Sequence, residues 1–303
     1  MTVSQLIAPQ ATATIHERQN PVKHEEYEGF VTSAYPHRFK SPKSPSSKIL
    51  ASVRLLVIVV TILVLFPCQA LLLLLPPPVR DLLPKHFHRF VAWVLGLQIV
   101  VSGEVAQGSQ LLYVTNHASY LDIIVLGSRI KGVFISRSEV ADWPIFGLLA
   151  KLQRSMFLER KSSASERGVK EIRQRMTAGD NPIMFVEATT TDGGRLAPFK
   201  SALLQVAMDG GDDSAVKVQP ITITYTRLNG AVLGRSLRPL LSWYGDMTMY
   251  RHLFAMAGLG RITVELKFHP VLAASDFKNR KELSQSCFDL IQDGLLKSIT
   301  GRG

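Results

Sequence analysis

Residues 55–75 read LLVIVVTILVLFPCQALLLLL, without a single charge. About 20 consecutive apolar residues are what a helix needs to cross the hydrocarbon of a bilayer, and the run is long for the core helix of a soluble domain. Its flanks orient it. From His37 to Arg54 the chain carries Arg38, Lys40, Lys43, Lys48 and Arg54 and no acidic residue, which marks the N-terminal side as cytoplasmic. A secretory signal peptide fits poorly: the run begins late, and PPP at 76–78 follows instead of a small-residue cleavage site. The far flank is basic too, with Arg80, Lys85 and Arg89 against Asp81. The segment can therefore span the membrane or dip into one leaflet as a hairpin. Pro67, near mid-run, lacks a backbone donor and predicts a kinked helix.

This run divides the chain into a polar tail at 1–49, a membrane-embedded segment at 50–79 and one larger domain at 80–303. The tail is rich in Ser, Pro and His and lacks helix or strand periodicity, which predicts disorder. After the apolar run, Leu83, Phe87, Phe90, Val91, Val94 and Leu95 recur at three- and four-residue spacing. They predict an amphipathic helix over 82–97 that packs on the domain or lies on the membrane. From residue 98 strands and helices alternate. Strands are predicted at LQIVVSG, QLLYVT, GVFISR, RSMFLER, NPIMFVE, VKVQPITITYT and RITVELKF. Helices are predicted over 120–130, 144–152, 164–179 and 276–299, and 227–260 reads as loop-rich. The alternation predicts an α/β domain, its sheet mixed or mostly parallel and flanked by helices.

The two cysteines, Cys68 and Cys287, stand in no ligand spacing, so neither a disulfide framework nor a metal site is expected. A net charge of +11 calls for an acidic partner. No nucleic-acid motif accompanies it, and an anionic membrane surface is the partner expected from the apolar run. GSRIKGVF only grazes a P-loop, since the G-K-[ST] ending is missing.

The chemistry concentrates at 116–122, NHASYLD, between the strand LLYVT and a helix. Ser119 with Asp122 fits a capping box at the helix N-terminus, which accounts for those two residues and leaves Asn116 and His117 idle. A catalytic reading uses more of the motif. His117 stands at the rim where open α/β sheets bind ligands. Asp122 can hold one imidazole nitrogen while the other takes a proton. This is half of a triad without a protein nucleophile, and no G-x-S-x-G elbow occurs in the chain. The activated group is then a substrate hydroxyl, or water in a hydrolase or thioesterase.

NHASYLD matches the N-H-x-S-x-x-D motif of the 1-acylglycerol-3-phosphate (glycerolipid) acyltransferases, and further blocks follow in the family's order. MFLERK at 156–161 resembles the second block, FVEATTTDGGRLAPFKSALL at 185–204 the third and VQPITITYT at 218–226 the fourth. The resemblance covers about residues 95–270. It implies acyl transfer from acyl carrier protein or coenzyme A, as co-substrate, to the hydroxyl of a lysolipid, with no bound cofactor. It makes 80–303 a single acyltransferase domain behind an N-terminal anchor, on the cytoplasmic side of a bacterial inner membrane where those donors are found. His117 is implied as general base and Asp122 as its orienter, with Asn116 either at the substrate or a strand-end hydrogen bonder. Arg160 is implied to bind the acceptor's anionic head. The remaining basic residues nearby, Lys151, Arg154, Lys161, Arg167, Lys170, Arg173 and Arg175, are expected to form a solvated or membrane-facing surface.

The third block departs from the family. Where the pattern has E-G-T, often followed by Arg, this chain has Glu187, Ala188, Thr189 and Thr190. Gly permits a special backbone angle that Ala188 is expected to do without. The missing Arg removes one phosphate ligand, which Arg195 or Lys200 can replace. Glu187 and Thr189 complete the expected substrate-binding set. Lysophosphatidate, giving phosphatidic acid, is the acceptor expected first. The departure leaves room for lyso-ornithine lipid, whose head carries a carboxylate and an ammonium and whose acyltransferases belong to the same family.

Overall fold

A computed structural model describes residues 46–158, 166–209 and 216–301. Nearly all of the expected disordered tail, and with it Arg160 and Lys161, lies outside the described residues. Helix α1, Lys48–Leu72, is capped by Ser47, whose Oγ accepts from Leu50 N at 3.3 Å. It is long and apolar enough to cross a membrane. Of its side chains only Ala51 and Gln69 are buried. Pro67 does not end it, so the turn of the chain falls later than the expected kink.

Two polar side chains fasten α1 along the domain. Arg54 donates to the carbonyls of Ala257 and Leu259 at 3.1 and 2.6 Å. Gln69 donates to those of Arg80 and Leu152 at 3.1 and 3.3 Å. After a short turn through residues 73–81, α2 (Leu82–Val94) packs against α1. Val60, Val64 and Leu65 face Leu83, Phe87 and Phe90 across an apolar groove. The other face of α2 buries His88, Val91 and Ala92 against α3 (Leu121–Arg129). One face of the expected amphipathic helix thus packs on the domain, while Leu82 and Trp93 remain exposed. The contact is close: a Cβ on Gly127 of α3 would lie 2.2 Å from His88 Nδ1, so only glycine fits there.

Among the described residues the sheet has nine strands: β1 Leu97–Ser102, β2 Leu111–Thr115, β3 Val133–Arg137, β4 Met156–Leu158, β5 Pro182–Phe185, β6 Lys217–Leu228, β7 Ala231–Val232, β8 Ile262–Phe268 and β9 Leu272–Ala273. Its order is β1-β8-β6-β2-β5-β3-β4, with β7 and β9 paired to β6. The run from β6 to β4 is parallel, and β8 joins β6 antiparallel. The sheet is thus mixed and mostly parallel. All five residues of β2 and ten of the twelve in β6 are buried, as expected of central strands covered on both faces. Pro220, with no N–H to give, falls where β6 changes partner from β9 to β8.

Helices α4 (Phe146–Leu152), α5 (Glu166–Thr177), α6 (Met249–Ala257) and α7 (Arg280–Thr300) complete the layers. One core cluster joins α2 and α3 to the sheet, and a second joins α5 and α7 to its other face. The stretch 227–260 is more ordered than its sequence reading. It holds the β7 hairpin, a 3₁₀ turn at Arg235–Leu240 and α6. The basic residues around 151–175 are also not one solvated surface: Arg154 and Arg175 reach Asp180 at 2.8 and 2.6 Å.

Candidate active site

The turn 116–122 leaves the carboxyl end of β2 and runs into α3. Asn116, buried, closes the gap to the neighbouring strand: its Nδ2 donates to Ile223 O at 3.0 Å and its Oδ1 accepts from Ile223 N at 2.9 Å. That amide continues the β2–β6 ladder with one N–H and one lone pair of its oxygen. Of the two roles expected for Asn116, the geometry matches the strand-end hydrogen bonder.

His117 follows with its ring stacked on Phe185 at the end of β5, centroids 3.9 Å apart. Its Nδ1 lies 2.8 Å from Asp122 Oδ2. A carboxylate can only accept, so Nδ1 carries the proton and Nε2 is left as the basic nitrogen. No described residue hydrogen-bonds Nε2. The His117 side chain is 19% exposed and that of Asp122 is 0% exposed, so the imidazole is reachable and the carboxylate is not.

Asp122 accepts from four groups. Oδ2 also takes the N–H groups of Ala118 and Ser119 at 2.8 and 2.9 Å. Oδ1 takes the Tyr225 hydroxyl at 2.7 Å. The capping and catalytic readings therefore meet in one carboxylate: it reaches back to the Ser119 N–H as a capping box requires, and it holds His117. The reciprocal cap is weak, with Ser119 Oγ 3.4 Å from Leu121 N. Tyr225 is fully buried; burial first, then the neighbouring Asp122 charge, raises its pKa well above the ordinary range, so the phenol remains a donor.

Glu187, just past β5, is buried and bridges two loops. Its Oε1 accepts from His117 N at 2.8 Å and its Oε2 from Ala197 N at 2.5 Å. Burial pushes its pKa up to about 8, against the pull of those two N–H donors. It positions the His117 backbone and ties it to the loop at Ala197. Ala188 takes a left-handed conformation, φ 54°, although it has the Cβ that the glycine of the motif lacks. The expected loss of that backbone angle does not occur; the angle is kept at a steric cost of about 1–2 kcal/mol. Arg137 donates to the Ala188 carbonyl, and Thr191 N donates to His117 O at 3.0 Å, so the next loop is pinned to the 116–122 turn.

The remaining expected substrate residues divide. Thr189 is half-buried beside this turn. Arg195 lines a recess together with Asp192, Arg235 and Arg238. Lys200 is half-buried and its backbone N–H closes onto Val186 O at 2.9 Å. Among the described residues no group of His, Cys, Asp and Glu could hold a metal ion.

Tyr225 escaped the sequence reading because it lies 103 residues from Asp122. A weak signal existed: in PITITYT every residue is buried, and a Tyr in a fully buried strand must find a partner for its hydroxyl.

A family model described as Acyltransferase matches residues 98–224. The lyso-ornithine lipid O-acyltransferase of Brucella abortus (strain 2308) is 40% identical over 243 residues, 78% of this chain and 91% of that protein. The protein of the same name from Rhizobium meliloti (strain 1021) is 38% identical over 82% of this chain and 86% of its own length. The 1-acyl-sn-glycerol-3-phosphate acyltransferase of Neisseria gonorrhoeae is 30% identical over 60% of this chain and 68% of that protein. The fold is that of the crystal structure of the 1-acyl-sn-glycerophosphate acyltransferase PlsC from Thermotoga maritima, with a TM-score of 0.62 at 19% identity over 82% of this chain and 95% of that one. By the extent and level of these matches the chain is an enzyme that belongs to the acyltransferase family.

Proposed function

We propose that this acyltransferase esterifies the free hydroxyl of lyso-ornithine lipid, with an acyl carrier protein or coenzyme A thioester as donor. One observation carries the acceptor: the two relatives of that name match at 40% and 38% identity over about four-fifths of the chain, whereas the gonococcal lysophosphatidate enzyme matches at 30% over three-fifths. The missing arginine after Ala188, one phosphate ligand fewer, points the same way.

The reaction follows from the geometry around His117. Nε2 takes the proton of the lysolipid hydroxyl while its oxygen bonds to the thioester carbonyl carbon. The tetrahedral adduct collapses, the carbon–sulfur bond breaks, and the imidazolium returns the proton to the departing thiolate. Asp122 keeps Nδ1 protonated and bonded throughout, so the ring neither flips nor changes tautomer. Base catalysis of this kind contributes about 10²–10⁴-fold, and holding both substrates at the rim adds effective molarity. Both donors are cytosolic, which places the domain on the cytoplasmic face of the inner membrane. The helix pair α1–α2, reversing at 73–81, suits insertion into one leaflet from that side. Basic residues next to it attract anionic lipid, each worth about 1 kcal/mol near the surface.

The test is a transfer assay with purified protein, acyl carrier protein thioester, and lyso-ornithine lipid or lysophosphatidate as acceptor. Preferred acylation of lyso-ornithine lipid, lost by about 10²-fold or more in His117→Ala, is the expected result. Full activity of His117→Ala contradicts the mechanism. Acylation of lysophosphatidate alone contradicts the acceptor, and release of free fatty acid without transfer contradicts both.

A further inference from the structure

The loop pinned to His117 through Thr191 continues into the wall of a second recess, of about 430 Å³. Asp192, Gly194 and Arg195 line it together with Arg235, Arg238 and, near the end of α7, Ile299. It stands on the same rim of the sheet as the base, because β6 runs parallel to β2 and the 232–238 wall follows its carboxyl end. Gly193 touches both: Arg238 of the recess donates to its carbonyl, and its α-carbon faces the turn. A Cβ on Gly193 would lie 3.4 Å from the Ala118 Cβ, in the 116–122 turn, and 2.9 Å from Ser242 Oγ.

The recess holds three guanidinium groups and one carboxylate. Arg238 is buried, its Nη1 donating to Gly193 O at 3.0 Å. Burial lowers its pKa and the nearby Asp192 charge raises it. Asp192 Oδ1 accepts from Gly194 N at 2.9 Å, which fixes the carboxylate's direction. Arg235 is exposed and has no hydrogen bond or ion pair within the described residues. A buried guanidinium costs desolvation energy, and the same recess holds a second, exposed one that no described residue engages.

We infer that this recess binds the amino-acid head of the acceptor, with Arg235 and Arg238 taking its carboxylate and Asp192 its ammonium. This rests on the acceptor proposed above and specifies how that acceptor is chosen. A guanidinium fork fits a carboxylate and a phosphate equally well in shape, so the arginines supply affinity without choice. Asp192 supplies the choice: it pairs with an ammonium and repels a phosphate, the repulsive element that selectivity requires. The hydroxyl to be acylated lies a few bonds from this head in lyso-ornithine lipid, which fits a recess that meets the turn carrying the base at Gly193.

The experiment compares wild type, Arg235→Gln and Asp192→Asn with both acceptors at a fixed acyl carrier protein thioester concentration, reading KM and kcat separately. Arg235 is exposed, so Arg235→Gln is expected to melt with the wild type; in Asp192→Asn the amide keeps an oxygen for the Gly194 N–H but removes the charge beside the buried Arg238, so that variant is expected to melt somewhat lower while remaining folded. Arg235→Gln is expected to raise KM for lyso-ornithine lipid about tenfold, the size of one charge-assisted contact, with kcat nearly unchanged. Asp192→Asn is expected to lower the kcat/KM ratio of lyso-ornithine lipid to lysophosphatidate by about tenfold or more, in part through better use of the phosphate acceptor. If the wild type acylates lyso-ornithine lipid and both variants keep its KM and acceptor ratio, the recess is not the head site although the acceptor stands. If the wild type acylates lysophosphatidate alone, the acceptor reading fails and the head assignment with it.

Discussion

The turn at 116–122 and the recess at 192–238 are neighbours on one rim, yet they are built on opposite principles. In the turn every side chain that could interact is already engaged. Asn116 is bonded to Ile223, Glu187 to two backbone N–H groups, and Asp122 to four donors. One ring nitrogen of His117 is left over. In the recess Arg235 has no partner within the described residues, and the three cations outnumber the one anion. The difference separates two tasks. A base must be held in one orientation before substrate arrives, whereas a head site needs charge left over for a charged ligand.

The contrast predicts that changes in the turn alter kcat and stability, while changes in the recess alter KM and acceptor choice. The largest effect is expected from Asp122→Asn, which puts an amide donor where either Tyr225 or the His117 cluster needs an acceptor. Loss of kcat by about 10³–10⁴-fold is expected, as for other enzymes whose histidine loses its orienting carboxylate, with a lower melting temperature. Tyr225→Phe removes one of the four donors. It is expected to cost about tenfold in kcat and about 1–3 kcal/mol of stability, measured by chemical denaturation. A change in acceptor KM without a change in kcat would erase the distinction between the two regions.

Glu187→Gln comes next. It offers one acceptor where two N–H groups converge and is expected to cost about 1–3 kcal/mol. Its pH signature distinguishes it from a general loss. Burial holds the folded carboxyl at about 8 against an ordinary 4.5, so the folded state keeps a proton that the unfolded chain gives up between those values. Stability of the wild type is therefore expected to fall as pH rises across that window, and the glutamine variant to lack this component. The smallest effect is expected from Ala188→Gly. It relieves the left-handed backbone but adds freedom to the unfolded chain, for a net gain below about 1 kcal/mol, visible as a slightly higher melting temperature at unchanged activity.

Much of this architecture was legible in the sequence, and the exceptions share a cause. Strands such as LLYVT and ITITYT declare themselves because buried parallel strands are continuous apolar or β-branched runs. NHASYLD declares itself because five residues and one helical turn bring His117 to Asp122. Local spacing could not give Tyr225 or Ile223, since the register of β6 against β2 decides which residues reach the turn. Arg235 and Arg238 were hidden in a stretch that reads as loop, because a 3₁₀ turn of six residues carries no periodicity of its own. Helix α6 was more findable: Thr248 precedes it as a residue type favoured at N-caps, and MYRHLFAMA contains no breaker. Pro67 shows the limit of single-residue rules. In an apolar helix a proline removes one hydrogen bond and still leaves the helix as the best available state for the rest of the backbone.

Arg54 and Gln69 stand fifteen residues apart on α1, about 22 Å at the rise of an α-helix, and each is bolted to carbonyls of the globular body. A helix fastened at two such points is a mounting rail, not a leash. The body cannot swivel beneath it or drift away from it. Any depth and tilt that α1 takes in a lipid layer would be shared by the rim that carries His117, so an apolar helix would set the height of the proposed reaction.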